Sequence, residues 1–194
     1  MKTSLHDEQQ HMLRLLKDRA CDSEDDGELV SKLEFQRTII VWWRCFQFEH
    51  WLILTSRLLK DQKLLNNLVL DLYRNTSIPA YPNEAGDQFV QYLLSQNIHP
   101  TIKSVASLEL AMIKLKDEAN QETYCILWNQ EPLTLLDALV HARPYDLEYA
   151  AVTPQYEMIV SHATPGGMIV RELNRAGART GNHLHDQPGK LKQS

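Results

Sequence analysis

Apolar residues crowd the stretch EFQRTIIVWWRCFQFEHWLILTSRLLK, Glu34 to Lys60, so densely that it predicts one long helix apolar on almost every side. It carries three of the chain's four tryptophans (Trp42, Trp43, Trp51) and three of its four phenylalanines (Phe35, Phe46, Phe48). A surface helix shows one apolar stripe and one polar face, so a helix apolar all round must be covered all round. One small domain has little material for that cover, which points to a protein that works against a partner. One or two of the three tryptophans are expected in the core and at least one at an interface.

The remaining pattern is mostly helical. Met12, Leu13, Leu15 and Leu16 give His6 to Arg19 an amphipathic helical reading, followed by the acidic connector Asp22 to Glu28. Leu64, Leu65, Leu68 and Leu72 extend helical spacing from Asp61 to Tyr73. Pro79 and Pro82 break the pattern around Ile78-Pro79-Ala80-Tyr81-Pro82, because proline lacks a backbone donor and disfavours helix just before it. Helices are expected again over Asn83–Ser95 and Ser104–Glu118, the second with Val105, Leu108, Ala111, Met112 and Leu115 as its buried stripe. The character then changes. Thr123 to Trp128 is β-rich, Pro132 opens a short helix over Leu133–His141, and Tyr156–Ser161 with Met168–Leu173 reads as a hairpin turned by Pro165-Gly166-Gly167.

The fold class is therefore α+β, a mainly α helical body with a small C-terminal antiparallel β-sheet module. Four segments follow: residues 1–28, an N-terminal helix and acidic connector; 29–120, a helical domain; 121–173, a strand–helix–hairpin module for peptide binding; and 174–194, a tail with almost no core-forming residues, expected to be disordered.

Bulk properties narrow the function. The 194-residue chain is 43% apolar with a formal net charge of -5, which argues against a protein built to neutralise phosphates. Cys21, Cys45 and Cys125 are far apart and unpaired by spacing, and Cys45 and Cys125 sit in apolar contexts that suit small buried hydrophobes. With no signal-peptide core at the N-terminus, the expected location is cytoplasmic.

No catalytic constellation emerges. His183, His185 and Asp186 lie in a tail that offers nothing to hold them in a metal site, and the other histidines are scattered singly. No phosphate-binding glycine loop or nucleophile elbow is present. What stands out is surface for association. Arg37 and Arg44 are seven apart and share a helix face, with Trp43 and Phe48 nearby in sequence, and tryptophan and arginine dominate interface energetics. The hairpin offers a second surface if either of its strands, or Thr123 to Trp128, is a sheet edge, where an extended peptide can add as a further strand. The alternative is a sheet that merely covers the helices.

Two stretches carry a resemblance. Ala85-Gly86-Asp87-Gln88-Phe89-Val90-Gln91-Tyr92-Leu93, followed by Ser104-Val105-Ala106-Ser107-Leu108-Glu109-Leu110-Ala111, is similar to the helical domain of partner proteins of multinuclear non-heme iron oxidases. Arg44 with its aromatic neighbours, and the strand–helix–hairpin order, resemble the MbnC family of the methanobactin pathway. The short span from Tyr73-Arg74-Asn75 to Phe89 fits the compact subgroup. The resemblance covers roughly Glu34 to Leu173 and implies a non-catalytic subunit without a cofactor of its own, paired with an MbnB-like iron oxidase that holds the iron. Such a heterodimer binds the leader of an MbnA-like precursor peptide and uses dioxygen to convert its cysteines to oxazolone and thioamide groups. On that reading Arg37, Trp43, Arg44 and Phe46 form the oxidase interface. Met158, Val160, Met168 and Val170 serve the leader peptide. Two rivals remain: a partner of a related iron oxidase acting on a different peptide, and a regulator that binds nucleic acid.

Overall fold

A computed structural model describes residues 27–79, 81–145, 147, 151 and 153–173. The expectations for the N-terminal helix, the tail and the tail histidines lie outside these residues. The elements run α1 (Gly27–Trp51), α2 (Ile53–Asp61), α3 (Leu65–Asn75), α4 (Pro82–Ser95), α5 (Pro100–Lys114), β1 (Tyr124–Trp128), α6 (Pro132–Val140), β2 (Tyr156–Val160), a 3-10 turn (Pro165–Gly167) and β3 (Met168–Glu172). This is the expected α+β arrangement, a helical body followed by a small antiparallel sheet.

The long aromatic segment is two helices, not one. Leu52 leaves the helical region at φ -121°, ψ 67°, and α2 starts afresh at Ile53. Its first amide groups would be orphaned there, but the carboxylate of Glu109 on α5 takes them. Oε1 accepts from the Leu54 N–H at 2.8 Å and Oε2 from the Thr55 N–H at 2.7 Å. The opposing effects on Glu109 are unequal: burial raises its pKa and outweighs the N–H donors that favour the charged form. The expected continuation from Asp61 to Tyr73 is broken as well, because Lys63 adopts a left-handed φ of 57° between α2 and α3.

Three of the described α-helices begin on proline. Pro82, Pro100 and Pro132 occupy first-turn positions, where the missing N–H costs nothing. Thus α5 starts four residues earlier than its apolar spacing suggested, with the His99 ring accepting from the Thr101 N–H at 3.3 Å. At α6 the Glu131 carboxylate caps the Leu133 and Thr134 N–H groups at 3.1 and 2.6 Å.

Helix α5 is the central pillar. It packs against α2 and α4 on one side and against β1 and β2 on the other, while α1 rests on α3 and α4. Val105, Leu108 and Ala111 are buried as their spacing predicts, whereas Met112 is exposed and Leu115 only borders the core. Phe48 of α1 stacks on Phe89 of α4 with centroids 4.2 Å apart. Ile126, Trp128, Met158 and Val160 from the sheet join the same core as these helical residues.

The sheet order is β1-β2-β3, antiparallel throughout, with Ile126 opposite Met158 and Met158 opposite Val170. The β2–β3 turn needs positive φ at Gly166 (71°) and Gly167 (82°), a region that favours glycine. Even-numbered strand residues face the helices and odd-numbered ones face outward. Cys125 is consequently exposed, not a buried hydrophobe, and its Sγ donates to Glu157 Oε1 at 3.0 Å. Cys45 is buried as expected, and burial pushes its thiol up to about 11. No helix among the described residues is long and apolar enough to cross a membrane.

Replacing Glu109 by alanine strips the cap from α2 and leaves two donors unmet. It should cost about 2 kcal/mol of stability, with Glu109→Gln losing less. Urea denaturation reads this directly, and an unchanged midpoint for Glu109→Ala would remove the carboxylate from its structural role.

Candidate functional site: a two-faced aromatic helix

At about 100° per residue, Phe35, Ile39, Trp42, Trp43, Phe46 and His50 fall in a sector about 100° wide on α1. Leu33, Arg37, Cys45 and Phe48 are buried on the opposite side, with Val41 and Trp51 packed beside the core. The helix therefore has two apolar faces, and the molecule covers only one. Trp42 is 64% exposed and Trp43 51%, and Phe35, Ile39 and Phe46 are exposed with them. Ile53 at the start of α2 is exposed too.

The outer face is ordered by its own rings. Phe46 stacks with Trp42 at a centroid distance of 6.1 Å and with Trp43 at 5.7 Å, and its other edge meets the His50 ring at 4.5 Å. Aromatic pairs in this range are favourable beyond simple burial. The result is a water-facing aromatic ladder, the composition that anchors protein interfaces. Monomeric soluble proteins rarely leave a contiguous apolar surface of this kind open unless it binds something.

Of the four residues expected at an oxidase interface, Trp43 and Phe46 lie on this outer face. Arg37 and Arg44 share a face, as their spacing requires, but it is the inner one. Arg37 is only 8% exposed and lines a groove between α1 and α3. Arg44 is half-buried and ties the following loop to α1. Its Nη1 donates to the Pro79 carbonyl at 3.1 Å and to Gln47 Oε1 at 3.0 Å, and Nη2 to the Ile78 carbonyl at 3.5 Å. Burial lowers the pKa of its guanidinium. On the Tyr73 hydroxyl burial acts upward, and the charges of Arg37 and Arg44 pull it down without cancelling the rise.

Phe35, Ile39 and Trp42 belong to the open face although they were not among the four residues expected at the oxidase interface. The signal was available in their spacing with Phe46 at positions i, i+4, i+7 and i+11. Trp51 and Trp128 belong with the core, Trp128 fully buried.

The residues expected to serve a peptide separate by strand. Met158 and Val160 sit on the central strand with their side chains in the core. Met168 and Val170 lie on β3, half-buried against that core, and β3 is a sheet edge. The Ser161 N–H donates to the Gly167 carbonyl at 3.2 Å and the Leu173 N–H to the Gln155 carbonyl at 2.7 Å. Antiparallel alternation then turns the backbone groups of Ile169 and Arg171 toward β2, and those of Met168, Val170 and Glu172 away from it. Among the described residues no further strand pairs with that side. The other edge is partly occupied, because Ser104 Oγ of α5 donates to the Leu127 carbonyl of β1 at 2.7 Å.

Among the described residues no group of three or more His, Cys, Asp or Glu side chains is placed to hold a metal ion. In comparisons with known proteins, no protein-family model, curated protein or solved structure matches the chain.

The two faces of α1 should respond differently to substitution. Trp42→Ser with Trp43→Ser removes exposed apolar surface and should leave stability within about 0.5 kcal/mol of the parent while lowering binding of a hydrophobic dye. Arg44→Ala loses three internal bonds and should cost the lone chain about 1–2 kcal/mol in thermal or urea unfolding. A large loss for the tryptophan pair and none for Arg44 would reverse this assignment of faces.

Proposed function

We propose that this chain is the non-catalytic subunit of a heterodimeric iron-dependent oxidase of the MbnB–MbnC type, acting on a ribosomal precursor peptide in methanobactin biosynthesis. The observation that carries the reading is the uncovered aromatic face of α1, built from Phe35, Ile39, Trp42, Trp43 and Phe46. It fits a chain made to be completed by another protein. The motif resemblance supplies the identity of that protein, an MbnB-like oxidase that would hold the iron and activate dioxygen.

The chain's own contribution is binding and positioning. The outer α1 face docks the oxidase, with Trp43 and Phe46 among its anchors. The precursor leader adds as a strand along β3, pairing with the outward backbone groups of Met168, Val170 and Glu172. The peptide's cysteines are thereby delivered to the partner's metal centre. Met158 and Val160 enter only as the core side chains that hold the sheet flat against α5. The related assignment, a partner of a similar oxidase with another peptide, shares every one of these features.

Co-expression with an MbnB-type oxidase subunit and capture through this chain alone tests the proposal. A one-to-one complex is expected, with iron in the eluate only when the oxidase is present. A soluble, monodisperse chain that ignores the oxidase would overturn it.

A further inference from the structure

Strand β3 has one side with no strand partner among the described residues, and its pairing with β2 fixes what that side presents. The bonds from Ser161 to Gly167 and from Leu173 to Gln155 make Ile169–Ile159 and Arg171–Glu157 the hydrogen-bonded pairs. A strand added antiparallel, as every pair in this sheet is, would form its own hydrogen-bonded pairs at Met168, Val170 and Glu172. Ile169, Arg171 and Leu173 then stand opposite the newcomer in pairs without hydrogen bonds, where side chains approach most closely.

These three residues lie on the outer face of the sheet and are exposed. The Arg171 guanidinium has no hydrogen bond or ion pair among the described residues, whereas Glu157 accepts from the Cys125 thiol at 3.0 Å. A carboxylate opposite Arg171 would be one strand spacing, about 4.8 Å, from that strand and two spacings from Glu157, so attraction exceeds repulsion. Alternation places the Glu172 side chain on the other face. There Met168 and Val170 are half-buried against the core, and residues beside them would extend an apolar layer.

We infer that the β3 edge selects a sequence pattern in the extended leader: an acidic residue opposite Arg171, an apolar residue two positions before it opposite Leu173, and three apolar residues after it opposite Val170, Ile169 and Met168. The residue between the first two meets Glu172 and is not acidic. This rests on the proposed strand addition at β3 and deepens it. Backbone pairing supplies affinity for any extended peptide, and the side chains opposite Arg171 and Ile169 supply the choice among peptides.

The test selects a display library of random ten-residue peptides on the full chain. Enriched peptides are titrated against the parent, Val170→Pro, Arg171→Gln and Arg171→Glu, and melting temperatures of the lone proteins are recorded. Val170 turns its N–H away from β2, so proline there removes an outward donor and no ladder bond. Peptides lost in Val170→Pro should carry the pattern. They should bind Arg171→Glu about tenfold more weakly, an attractive cross-strand pair having become a repulsive one, and Arg171→Gln with a smaller loss. Replacing their acidic residue by lysine should restore binding to Arg171→Glu.

Peptides lost in Val170→Pro that show no acidic preference, or that carry the pattern in reverse order, would overturn the inference and leave strand addition standing. No enrichment, or no peptide lost in a Val170→Pro chain that melts like the parent, would overturn both. Should Val170→Pro melt well below the parent, the charge swap decides alone, and unchanged binding by Arg171→Glu would overturn the pattern.

Discussion

The Glu109 carboxylate, held against the first amides of α2, is the interaction on which the arrangement depends. A segment as apolar and helix-compatible as Glu34 to Lys60 has no internal reason to bend at Leu52. Straight continuation would carry Leu58 and Leu59 along the axis of α1, away from α5 and α6. Breaking the helix orphans amide groups, and two of them find their acceptors on one side chain of the central pillar. With the break held, α2 packs beside α5, and Arg57 Nη1 reaches the Leu139 carbonyl of α6 at 2.6 Å. Burying a carboxyl there opposes its ionisation. The cost is accepted because the same group satisfies donors that would otherwise be unmet in a partly buried place.

The break also fixes which side of α1 remains open. With α3 and α4 occupying its inner face, Leu33, Cys45 and Phe48 are buried, and nothing among the described residues is placed over Trp42 and Trp43. A helix with two opposed apolar faces has little amphipathic signature, which is why the segment looked uniformly apolar. Its inner face is solved by intramolecular packing. Its outer face is stacked into a ladder by Phe46, so the rings are pre-positioned and lose little conformational freedom on association. On the sheet, the β3 edge keeps its outward backbone groups beside half-buried Met168 and Val170. The two surfaces are built from different elements, one aromatic, the other a hydrogen-bonding template.

Much of the fold was legible from local chemistry. The β-rich runs, the Pro165-Gly166-Gly167 turn and the proline at the start of α6 located the sheet module closely. The same proline rule applied to Pro82 and Pro100 would have set the starts of α4 and α5. The break at Leu52 was not legible, because its cause lies more than fifty residues away on Glu109. The only local trace is one acidic residue between apolar positions of α5. Lys63 was hidden for a related reason, since a left-handed lysine carries no residue-type signal as a glycine does. At the candidate surface, apolar spacing was sufficient for Phe35, Ile39 and Trp42, but residue type drew attention to Arg44, which tertiary packing turned inward. Met158 and Val160 were expected to serve a peptide, but their side chains are buried in the core and their strand is central; strand order decides which strand is an edge, and order is not encoded locally.

Hydroxyl-radical footprinting of the chain alone and with the oxidase subunit would probe the central claim most directly. Phe35, Trp42, Trp43 and Phe46 should label readily in the lone chain and become strongly protected in the complex, while exposed Leu133 on α6 stays labelled in both. Unchanged labelling of the α1 aromatics in a confirmed complex would contradict the assignment of this face to the partner.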